Sequence, residues 1–557
     1  MLWGGRTSVL AALGALGGYC WETGDCTPGG MPLLCVGRSS VRFREAGGDA
    51  HRKPSPADFK AFPELEGFEW PKRGSDAEWK SLTFQAGGFT RTAAPDNLGE
   101  SIDRLILQYP KSRPRRSLRG EEWEEEEIAQ AVSEIAQREV NRKASPGVPL
   151  SVLSVTNAGI IDRHMSLLQA AVCQRLELLS KFDLSSCPSP EFLVEAGLCD
   201  PVRLFVKQEP HKLAKVLQGR FRLISSVSLV DQLVERMIFG PQNQLEISLW
   251  KGCPSKPGMG LSTADQVASV WEDLRWKHHS HPAAEADISG FDWSVQDWEL
   301  WADWEMRVRL GGFGKKLSMA ARNRYYCFMN SVFQLSNGTL VSQQLPGLMK
   351  SGSYNTSSTN SRIRCLMAAI IGSPWCIAMG DDSVEGYMAG AQKEYLRLGH
   401  VCKEYMPCNA DGEKLLDFNF CSHFISAQRC YLTTWAKTLY RFLSSDVENV
   451  EDLEVELGSC PEWFRIEKYV RCGRREVGHK IIEENGKKKE GWLQADERRE
   501  PLSTDKGLDV RACGPDRQPK ETEEKSEQTK NEWFSNYPCG DITSQCWHDD
   551  VPQCPIS

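Results

Sequence analysis

Apolar residues repeat at helical spacing in three segments of the chain. The first segment predicts an amphipathic helix through Val230, Leu233, Val234, Met237 and Ile238, which stand at positions i, i+3, i+4, i+7 and i+8. Gly240-Pro241 follows directly, and it predicts the end of this helix because proline lacks a backbone N–H group. Two later helices are predicted by Val295, Trp298, Ala302 and Met306, and by Ile363, Leu366, Met367 and Ile370, the second ending at Gly372-Ser373-Pro374.

Short apolar runs with turn residues between them predict strands. Ala283 to Ile288 is one such run. Trp375 to Met379 is another, and Gly380-Asp381-Asp382 then separates it from a predicted return strand, Ser383 to Tyr387. This order predicts a β-hairpin with two aspartates at its tip.

The two ends of the chain differ from its middle. Residues 1–55 are rich in glycine and lack periodicity, which predicts a weakly ordered lead-in with little core. Residues 481–557 are dominated by Lys, Glu, Asp, Gln, Pro and Gly, and we expect a disordered tail there. The apolar stretch Val9 to Leu16 is too short to cross a bilayer, so we expect no integral membrane span.

Composition and charge limit the functional classes only weakly. Of the 557 residues, 40% are hydrophobic and 25% are charged, which is typical of a globular protein. The net charge is −8, and 11 basic and 17 acidic residues in the tail account for −6 of it. A nucleic-acid partner must therefore be inferred from local basic clusters. The 20 cysteines show no regular short spacing, which favours a reducing compartment.

Two groups of carboxylates lie at predicted strand ends. One contains Asp287 and Asp292, and the other contains Asp381 and Asp382. Adjacent carboxylates repel one another unless a cation lies between them, and hard oxygen ligands favour Mg²⁺, or Mn²⁺. Asp287, Asp381 and Asp382 are thus candidate ligands of two metal ions that assist phosphoryl transfer. The alternative is that Gly-Asp-Asp is only a turn.

A loop rich in glycine and serine precedes the third predicted helix. Ser351 and Gly352 lie in this loop, and Thr356 and Asn360 follow four residues apart, on one face of the helix. Polar groups on that face can hydrogen-bond a ribose 2′-hydroxyl. Helix N-capping by the serines and threonines is the alternative interpretation.

A basic segment lies upstream, on sequence that predicts strand or loop. Within residues 207–222 it carries one glutamate and five basic side chains, Lys207, Lys212, Lys215, Arg220 and Arg222. Lysines and arginines around proline and glycine are suited to binding a triphosphate. A solvated surface patch is the competing interpretation.

These motifs occur in one order along the chain, starting from the rigid loop Ser145-Pro146-Gly147-Val148-Pro149 and continuing through the basic segment, the Asp287 group, the Ser351 loop and the Gly-Asp-Asp turn. The series resembles motifs G, F, A, B and C of viral RNA-dependent RNA polymerases. The sequence of residues 352–358, together with Phe420-Cys421-Ser422-His423 as motif E, is most similar to that of sobemovirus and sobemo-like polymerases. The resemblance covers about residues 60–440.

The resemblance implies an α+β right-hand polymerase with fingers, palm and thumb. Its palm is expected to contain an antiparallel sheet, and its fingers and thumb are expected to be predominantly helical. The expected boundaries are 56–280 for the fingers, 281–424 for the palm with a fingers insertion around 311–350, and 425–480 for the thumb.

The resemblance also implies roles for single residues. Asp287 and Asp381 would bind the catalytic metals beside Asp382, and Asp292 would sense the 2′-hydroxyl with Thr356 and Asn360. Ser351-Gly352 would contact template and nucleotide, and the triphosphate would be held by Lys207, Lys215, Arg220 and Arg222. His211 stands where the family often has a basic residue. Lys403 is the expected general acid of motif D, and Lys414 is the rival.

The implied function is RNA-directed RNA synthesis on a viral positive-strand genome, from ribonucleoside triphosphates and an RNA template. Relatives imply further partners: a small genome-linked protein as primer, and membrane-associated replication complexes in the host cytoplasm. One alternative is a reverse transcriptase or another palm-type nucleotidyltransferase, although reverse transcriptases usually have an aromatic residue at the position of Asp292. The other is a catalytically silent RNA-binding or scaffold protein.

Overall fold

Helices form most of the secondary structure, and several begin directly after a serine or threonine whose side chain accepts a hydrogen bond from the first turn. The computed structural model describes residues 8–22, 33–43, 51–408, 416–445 and 449–473. All of these residues except 472 and 473 belong to one structural unit, Met1–Arg471. The α-helices of the described ranges are α1 Val9–Gly17, α2 Pro56–Ala61, α3 Ser75–Ala86, α4 Leu98–Ile106, α5 Glu125–Glu139, α6 Asn157–Arg163, α7 Met165–Lys181, α8 Pro190–Glu195, α9 Leu213–Gln218, α10 Leu229–Ser248, α11 Ala264–Ser280, α12 Asp297–Gly311, α13 Lys315–Met329, α14 Thr356–Ile370, α15 Ala391–Arg397, α16 Trp435–Leu443, α17 Val450–Leu457 and α18 Trp463–Lys468.

The strands form four sheets. They are β1 Tyr19–Trp21, β2 Leu33–Ser39, β3 Phe68–Glu69, β4 Val202–Val206, β5 His211–Lys212, β6 Leu223–Ser226, β7 Ala283–Ile288, β8 Val332–Gln334, β9 Thr339–Gln343, β10 Cys376–Met379, β11 Asp382–Gly386, β12 Cys402–Pro407, β13 Phe418–Phe420, β14 His423–Ile425 and β15 Cys430–Leu432. The sheet orders are β1-β2-β9-β8-β4-β6, β10-β11-β7-β12, β13-β14-β15 and β3-β5. Only the β4–β8 pair is parallel among these described strands.

The sheet with order β10-β11-β7-β12 positions the candidate site, and all of its pairs are antiparallel. Helix α14 lies against β10 and β11 and also contacts α4 and α12. The predicted α+β class with an antiparallel sheet is confirmed, as are the strand over Ala283–Ile288 and the β10–β11 hairpin. The two later amphipathic stripes form α12 and α14. In the described ranges, no helix has both the length and the apolar character needed to cross a bilayer.

The expectation of a lead-in without core is wrong for residues 8–22 and 33–43. Helix α1 packs on α7, and β1 and β2 extend the six-stranded sheet beside β9. Leu10, Leu13 and Val36 are buried in the main core. Their partners lie far along the chain, so local periodicity carried no sign of this packing. The predicted disordered tail, 481–557, lies outside the described residues.

The predicted helix end at Gly240-Pro241 is also wrong, because α10 runs on to Ser248 with Pro241 inside it. Proline removes one backbone hydrogen bond from the helix and costs about 3 kcal/mol. Much of α10 is buried, and it packs against α5, α7, α12 and α13. Burial of a long apolar face can offset that cost, since each fully buried aliphatic side chain contributes about 1.5–3 kcal/mol.

A buried carboxylate joins the helices that surround the site. Asp303 on α12 accepts hydrogen bonds from Arg307 Nε at 2.9 Å and from Arg362 Nε at 2.6 Å. It also accepts one from Thr359 Oγ1 at 2.7 Å and one from the Tyr325 hydroxyl. Burial opposes ionisation, yet the charges of Arg307 and Arg362 hold the pKa of Asp303 well below its ordinary value.

The same network, which already joins α12, α13 and α14, also reaches α10. Arg362 Nη1 donates to both carboxylate oxygens of Glu246 on α10, at 2.5 and 2.6 Å. The side chains of Asp303, Arg307 and Arg362 have no exposed area. Helices α10, α12 and α14 are therefore held in register by charges that water does not screen.

We expect Asp303→Asn to destabilise the fold strongly. The amide keeps the shape of the side chain but leaves Arg307 and Arg362 with one negative charge fewer, and breaking a buried ion pair costs about 3–5 kcal/mol. The measurement is the urea midpoint followed by tryptophan fluorescence. Asp103→Asn is the control, because Asp103 pairs with Arg309 at the surface and such pairs contribute about 0–1 kcal/mol. Equal midpoints for the two variants would contradict the role of Asp303.

Candidate active site

The β10–β11 hairpin places two aspartates at its tip. Met379 pairs with Asp382, which leaves Gly380 and Asp381 as the two turn residues. Gly380 has φ +66°, a conformation that glycine adopts without strain, and a positive φ at the first turn position is typical of a type II′ hairpin. Asp382 is thus the first residue of β11, whereas the sequence placed it in the turn.

Asp287 lies next to Asp382 on the neighbouring strand. Ser383 of β11 pairs with Ala286 of β7, and the strands are antiparallel, so the next positions along them are Asp382 and Asp287. Part of the Asp382 side chain reaches solvent. Burial by the surrounding chain and, in smaller part, the Asp381 and Asp287 carboxylates together raise the pKa of Asp382 to about 6. The three carboxylates are therefore close enough to repel one another.

Asp292 follows β7 after the tight turn at Gly290, which has φ +61°. Asn360 Nδ2 on α14 donates to Asp292 Oδ1 at 2.9 Å, so the structure brings this predicted pair together. Burial raises the pKa of Asp292 to about 6, the Asp381 carboxylate adds to the rise, and the bond from Asn360 opposes it. Asn360 Oδ1 is buried and has no protein partner.

Thr356 is held differently from Asn360. Its hydroxyl lies within hydrogen-bonding distance of the carbonyl oxygens of Lys350 and Ser353, at 2.9 and 3.0 Å, so it closes the loop that precedes α14. The Thr356 hydroxyl is thus directed at the loop backbone. Of Thr356 and Asn360, it is Asn360 that hydrogen-bonds Asp292.

The Ser351-Gly352 loop lies against β6. Ser225 N donates to Ser351 Oγ at 3.1 Å. A Cβ atom at Gly352 would be 2.2 Å from the Ser225 carbonyl oxygen, so only glycine fits there. The strand that follows the basic segment thus contacts the loop that precedes α14.

Lys403 approaches the carboxylates from the other edge of β7. Strand β12 pairs with β7, and its register shifts between Cys402 and Glu404, where Lys403 is the extra residue. Lys403 Nζ is 2.6 Å from Asp287 Oδ2, and both side chains are about half exposed. Lys414, the rival candidate, lies outside the described residues.

The donor chemistry of this cluster suits a hard divalent cation. Three carboxylates supply only oxygen atoms, and a cation would relieve the repulsion that adds to burial in raising the pKa of Asp382. Among the described residues, no three His, Cys, Asp or Glu side chains are already arranged as a metal-binding group. The Asp287 carboxylate is instead neutralised by Lys403.

The basic segment forms a cluster around Glu209. Lys207 Nζ and Arg222 Nη1 are 3.2 and 3.1 Å from its carboxylate oxygens, and Lys437 Nζ of α16 is 3.1 Å away. Burial opposes the shift, but the positive charges of Lys437, Lys207 and Arg222 hold the pKa of Glu209 at about 2. Sequence analysis missed Lys437, because no local pattern relates α16 to a segment so far upstream.

Lys215 and Arg220 connect this cluster to the carboxylates. Lys215 lies on the short helix α9, where the sequence had predicted strand or loop. Burial lowers the pKa of Lys215, and the charges of Arg220 and Lys403 lower it further. Arg220 Nη2 is 3.8 Å from the position of a Cβ atom built at Gly290. These cations thus lie near the turn that carries Asp292.

His211 is a structural residue of this segment. Arg222 N donates to His211 Nε2 at 2.9 Å, so Nε2 has no proton, and Nδ1 donates to the Glu209 carbonyl oxygen at 2.7 Å. Burial lowers the pKa of His211, which keeps the ring neutral. His211 therefore supplies no positive charge for a phosphate.

The β13–β14 hairpin lies beside the aspartates. Its turn contains Cys421 and Ser422, both with positive φ, at 54° and 60°. Burial raises the pKa of the Cys421 thiol, and the Asp382 and Asp381 carboxylates raise it further. The hairpin is fastened to β7 by Asn419, whose N–H donates to Glu285 Oε1 at 2.7 Å.

Comparisons with known proteins identify the family. A family model described as viral RNA-directed RNA-polymerase matches residues 57–447. The replicase polyprotein P2AB of Southern bean mosaic virus is 57% identical over 489 residues, which are 86% of this chain and 50% of the relative. The RNA-directed RNA polymerase of Mushroom bacilliform virus is 37% identical over 332 residues, covering 57% of this chain and 78% of the relative.

A solved structure shows the same fold. The Sicinivirus 3Dpol RNA dependent RNA polymerase is similar with a TM-score of 0.51 at 13% identity, over 75% of this chain and 86% of that chain. The predicted resemblance to sobemovirus and sobemo-like polymerases and the predicted right-hand fold are confirmed. The chain spans about half the length of the replicase polyproteins that it matches.

With the ordered motifs, the antiparallel sheet that carries them and these matches, the chain belongs to the viral RNA-directed RNA polymerase family.

Proposed function

We propose that this chain is an RNA-directed RNA polymerase that copies a viral positive-strand RNA genome. The observation that carries the proposal is the meeting of three elements: the Asp287, Asp381 and Asp382 carboxylates, the bonded pair Asp292–Asn360, and the cations of residues 207–222. Carboxylates for a metal, a polar pair for a ribose and cations for a triphosphate are the parts that ribonucleotide transfer needs.

In the proposed reaction, the 3′-hydroxyl oxygen of the growing RNA attacks the α-phosphorus of a ribonucleoside triphosphate. A phosphodiester bond forms, the bond to the β-phosphate breaks, and pyrophosphate leaves. Asp287 and Asp381, with Asp382 adjacent, would hold Mg²⁺ or Mn²⁺, which when bound neutralises charge that develops on the reacting oxygens. Lys207, Lys215, Arg220 and Arg222 would orient the triphosphate, and positioning of this kind supplies much of the rate in phosphoryl transfer.

Asp292 and Asn360 would select ribose. Because Asn360 already donates to Asp292, one oxygen of that carboxylate is committed and the other can accept from a 2′-hydroxyl. Ser351 and Gly352 would contact template and nucleotide, and the Thr356 hydroxyl supports the shape of that loop.

Lys403 would act as the general acid. Its ammonium group is paired with Asp287 in the described state and would donate a proton to the pyrophosphate leaving group. Release from Asp287 would be favoured when another cation takes over the negative charge of that carboxylate.

The proposal extends to the setting of the reaction. From the resemblance to sobemo-like polymerases we propose a small genome-linked protein as primer, and replication at membrane-associated complexes in the host cytoplasm.

We also propose that the fingers span 56–280, the palm 281–424 with a fingers insertion around 311–350, and the thumb 425–480. Helices α16–α18 lie in the proposed thumb. Strands β8 and β9 lie in the proposed insertion and belong to the same sheet as β4 and β6.

Asp381→Asn should abolish template-dependent incorporation of labelled ribonucleotides into RNA with Mg²⁺ or Mn²⁺. The amide is a weaker ligand for a hard cation than the carboxylate. The expected loss is at least about 10³-fold, in line with the several kcal/mol that a metal contributes to such a transition state. Asp103→Asn, at an exposed aspartate, is the control and should retain activity. If the native chain and Asp381→Asn were equally active, the reaction would take place at a site that does not include Asp381.

Asp292→Ala should weaken discrimination against deoxynucleotides. Loss of the acceptor for the 2′-hydroxyl removes a hydrogen bond that only ribonucleotides make, so the ratio of kcat/KM for the two substrates should fall by about tenfold or more. Asn360→Ala should act in the same direction because it frees Asp292. An unchanged ratio in Asp292→Ala would exclude the proposed role.

Lys403→Arg should separate the two candidate acids. Arginine keeps the charge and can still pair with Asp287, but it does not give up its proton in proteins. General acids contribute about 10²–10⁴-fold, so kcat should fall markedly while KM changes little. Lys414→Arg is the matched comparison. A fall in kcat only in Lys414→Arg would assign the acid to Lys414.

A further inference from the structure

Helix α14 contacts both ends of the aspartate turn. Ser361 and Arg364 are one turn apart on this helix, and their side chains are completely buried. Neither residue belongs to the groups proposed to touch nucleotide or metal. Their hydrogen bonds nevertheless reach the residues immediately before and after Asp381-Asp382.

The Ser361 hydroxyl has two distinct partners. Its proton is donated to the Ser357 carbonyl oxygen of the same helix at 2.6 Å, and a lone pair accepts from Gly380 N at 2.9 Å. Because the proton is committed to the helix, the lone pair is free for the hairpin. The Gly380 N–H is therefore anchored to α14.

Arg364 holds the other side of the turn. Its Nη2 donates to Ser383 Oγ at 2.5 Å and lies 3.6 Å from Glu385 Oε2. Glu385 in turn accepts from the Tyr395 hydroxyl of α15, at 2.8 and 2.6 Å. The guanidinium group thus links α14 to β11 within a buried polar cluster.

A two-residue turn with crowded carboxylates needs such support. Asp382 of β11 lies beside Asp287 of β7, and like charges at such neighbouring positions tend to drive the aspartates apart. The turn has one strand on each side and ends at the surface, where its aspartates are exposed to solvent. Bonds from a buried helix to Gly380 and Ser383 restrict its displacement.

We propose that Ser361 and Arg364 are positioning residues that hold Asp381 and Asp382 in the orientation for metal binding. This inference rests on the proposed function of those aspartates. Asn360 precedes Ser361 directly, so the same helical turn carries the bond to Asp292 and the bond to the metal-binding hairpin.

The experiment compares the full native chain with Ser361→Ala. Mn²⁺ binding is measured by electron paramagnetic resonance without substrates, and amide exchange at Gly380 is measured by mass spectrometry. We expect the variant to bind Mn²⁺ about three- to tenfold more weakly and to exchange Gly380 faster by a similar factor, as for loss of one hydrogen bond. Ser361→Thr, which keeps the hydroxyl, should stay close to the native chain.

Ser180→Ala is the matched control. The Ser180 hydroxyl also donates to its own helix, to the Glu177 carbonyl oxygen at 2.8 Å, but it lies on α7. Native Mn²⁺ affinity and native Gly380 exchange in Ser361→Ala would overturn the proposal. If Ser361→Ala does not fold, Ser383→Ala provides the second variant, since it removes the acceptor of Arg364.

The two readouts separate this inference from the proposed function. A native chain that binds no Mn²⁺ and incorporates no ribonucleotide would refute the function, whereas Gly380 exchange would still show whether Ser361 holds the turn. A native chain that is active, with unprotected Gly380 exchange, would refute the positioning role alone.

Discussion

Two guanidinium groups and one carboxylate, all without exposed area, fix helix α14 among its neighbours. Asp303 binds Arg307 and Arg362, and Arg362 extends the network to Glu246 on α10. A charge in such surroundings is costly unless its partners are in place, so the network tolerates few alternative arrangements. Because this network fixes the position of α14, it also fixes the positions of the groups on α14 that hydrogen-bond Asp292 and Gly380.

The site contains two clusters of like charges, one negative and one positive. Carboxylates crowd at one end of the β10-β11-β7-β12 sheet, and cations collect in the segment that follows β4. In the described state each set is partly neutralised by an internal counter-ion, Lys403 for Asp287 and Glu209 for Lys207, Arg222 and Lys437. In the proposed reaction a divalent cation and a triphosphate, which carry the opposite charges, would replace these internal partners.

Several elements were predictable from local sequence. The β10–β11 hairpin follows from an apolar run, a glycine turn and a return strand, and α14 follows from its apolar stripe and its glycine end. The family resemblance grouped Asp292 with Thr356 and Asn360 at the ribose, and the structure brings Asn360 into a hydrogen bond with Asp292. Other expectations failed for physical reasons. Packing of α10 outweighs the cost of Pro241, and residues 8–22 and 33–43 join a core whose other members are distant in sequence.

The sequence by itself determined the chemistry available to this protein: which carboxylates, cations and amides it has, in which order, and on which local elements. Only the tertiary structure decided how these groups meet. Lys437 reaches Glu209 from α16, Lys403 reaches Asp287 through a register shift, and Ser361 reaches Gly380 across the helix–hairpin contact. Periodicity and turn signals report on neighbours a few residues apart, whereas hydrogen bonds and ion pairs between distant segments depend on how the whole chain packs.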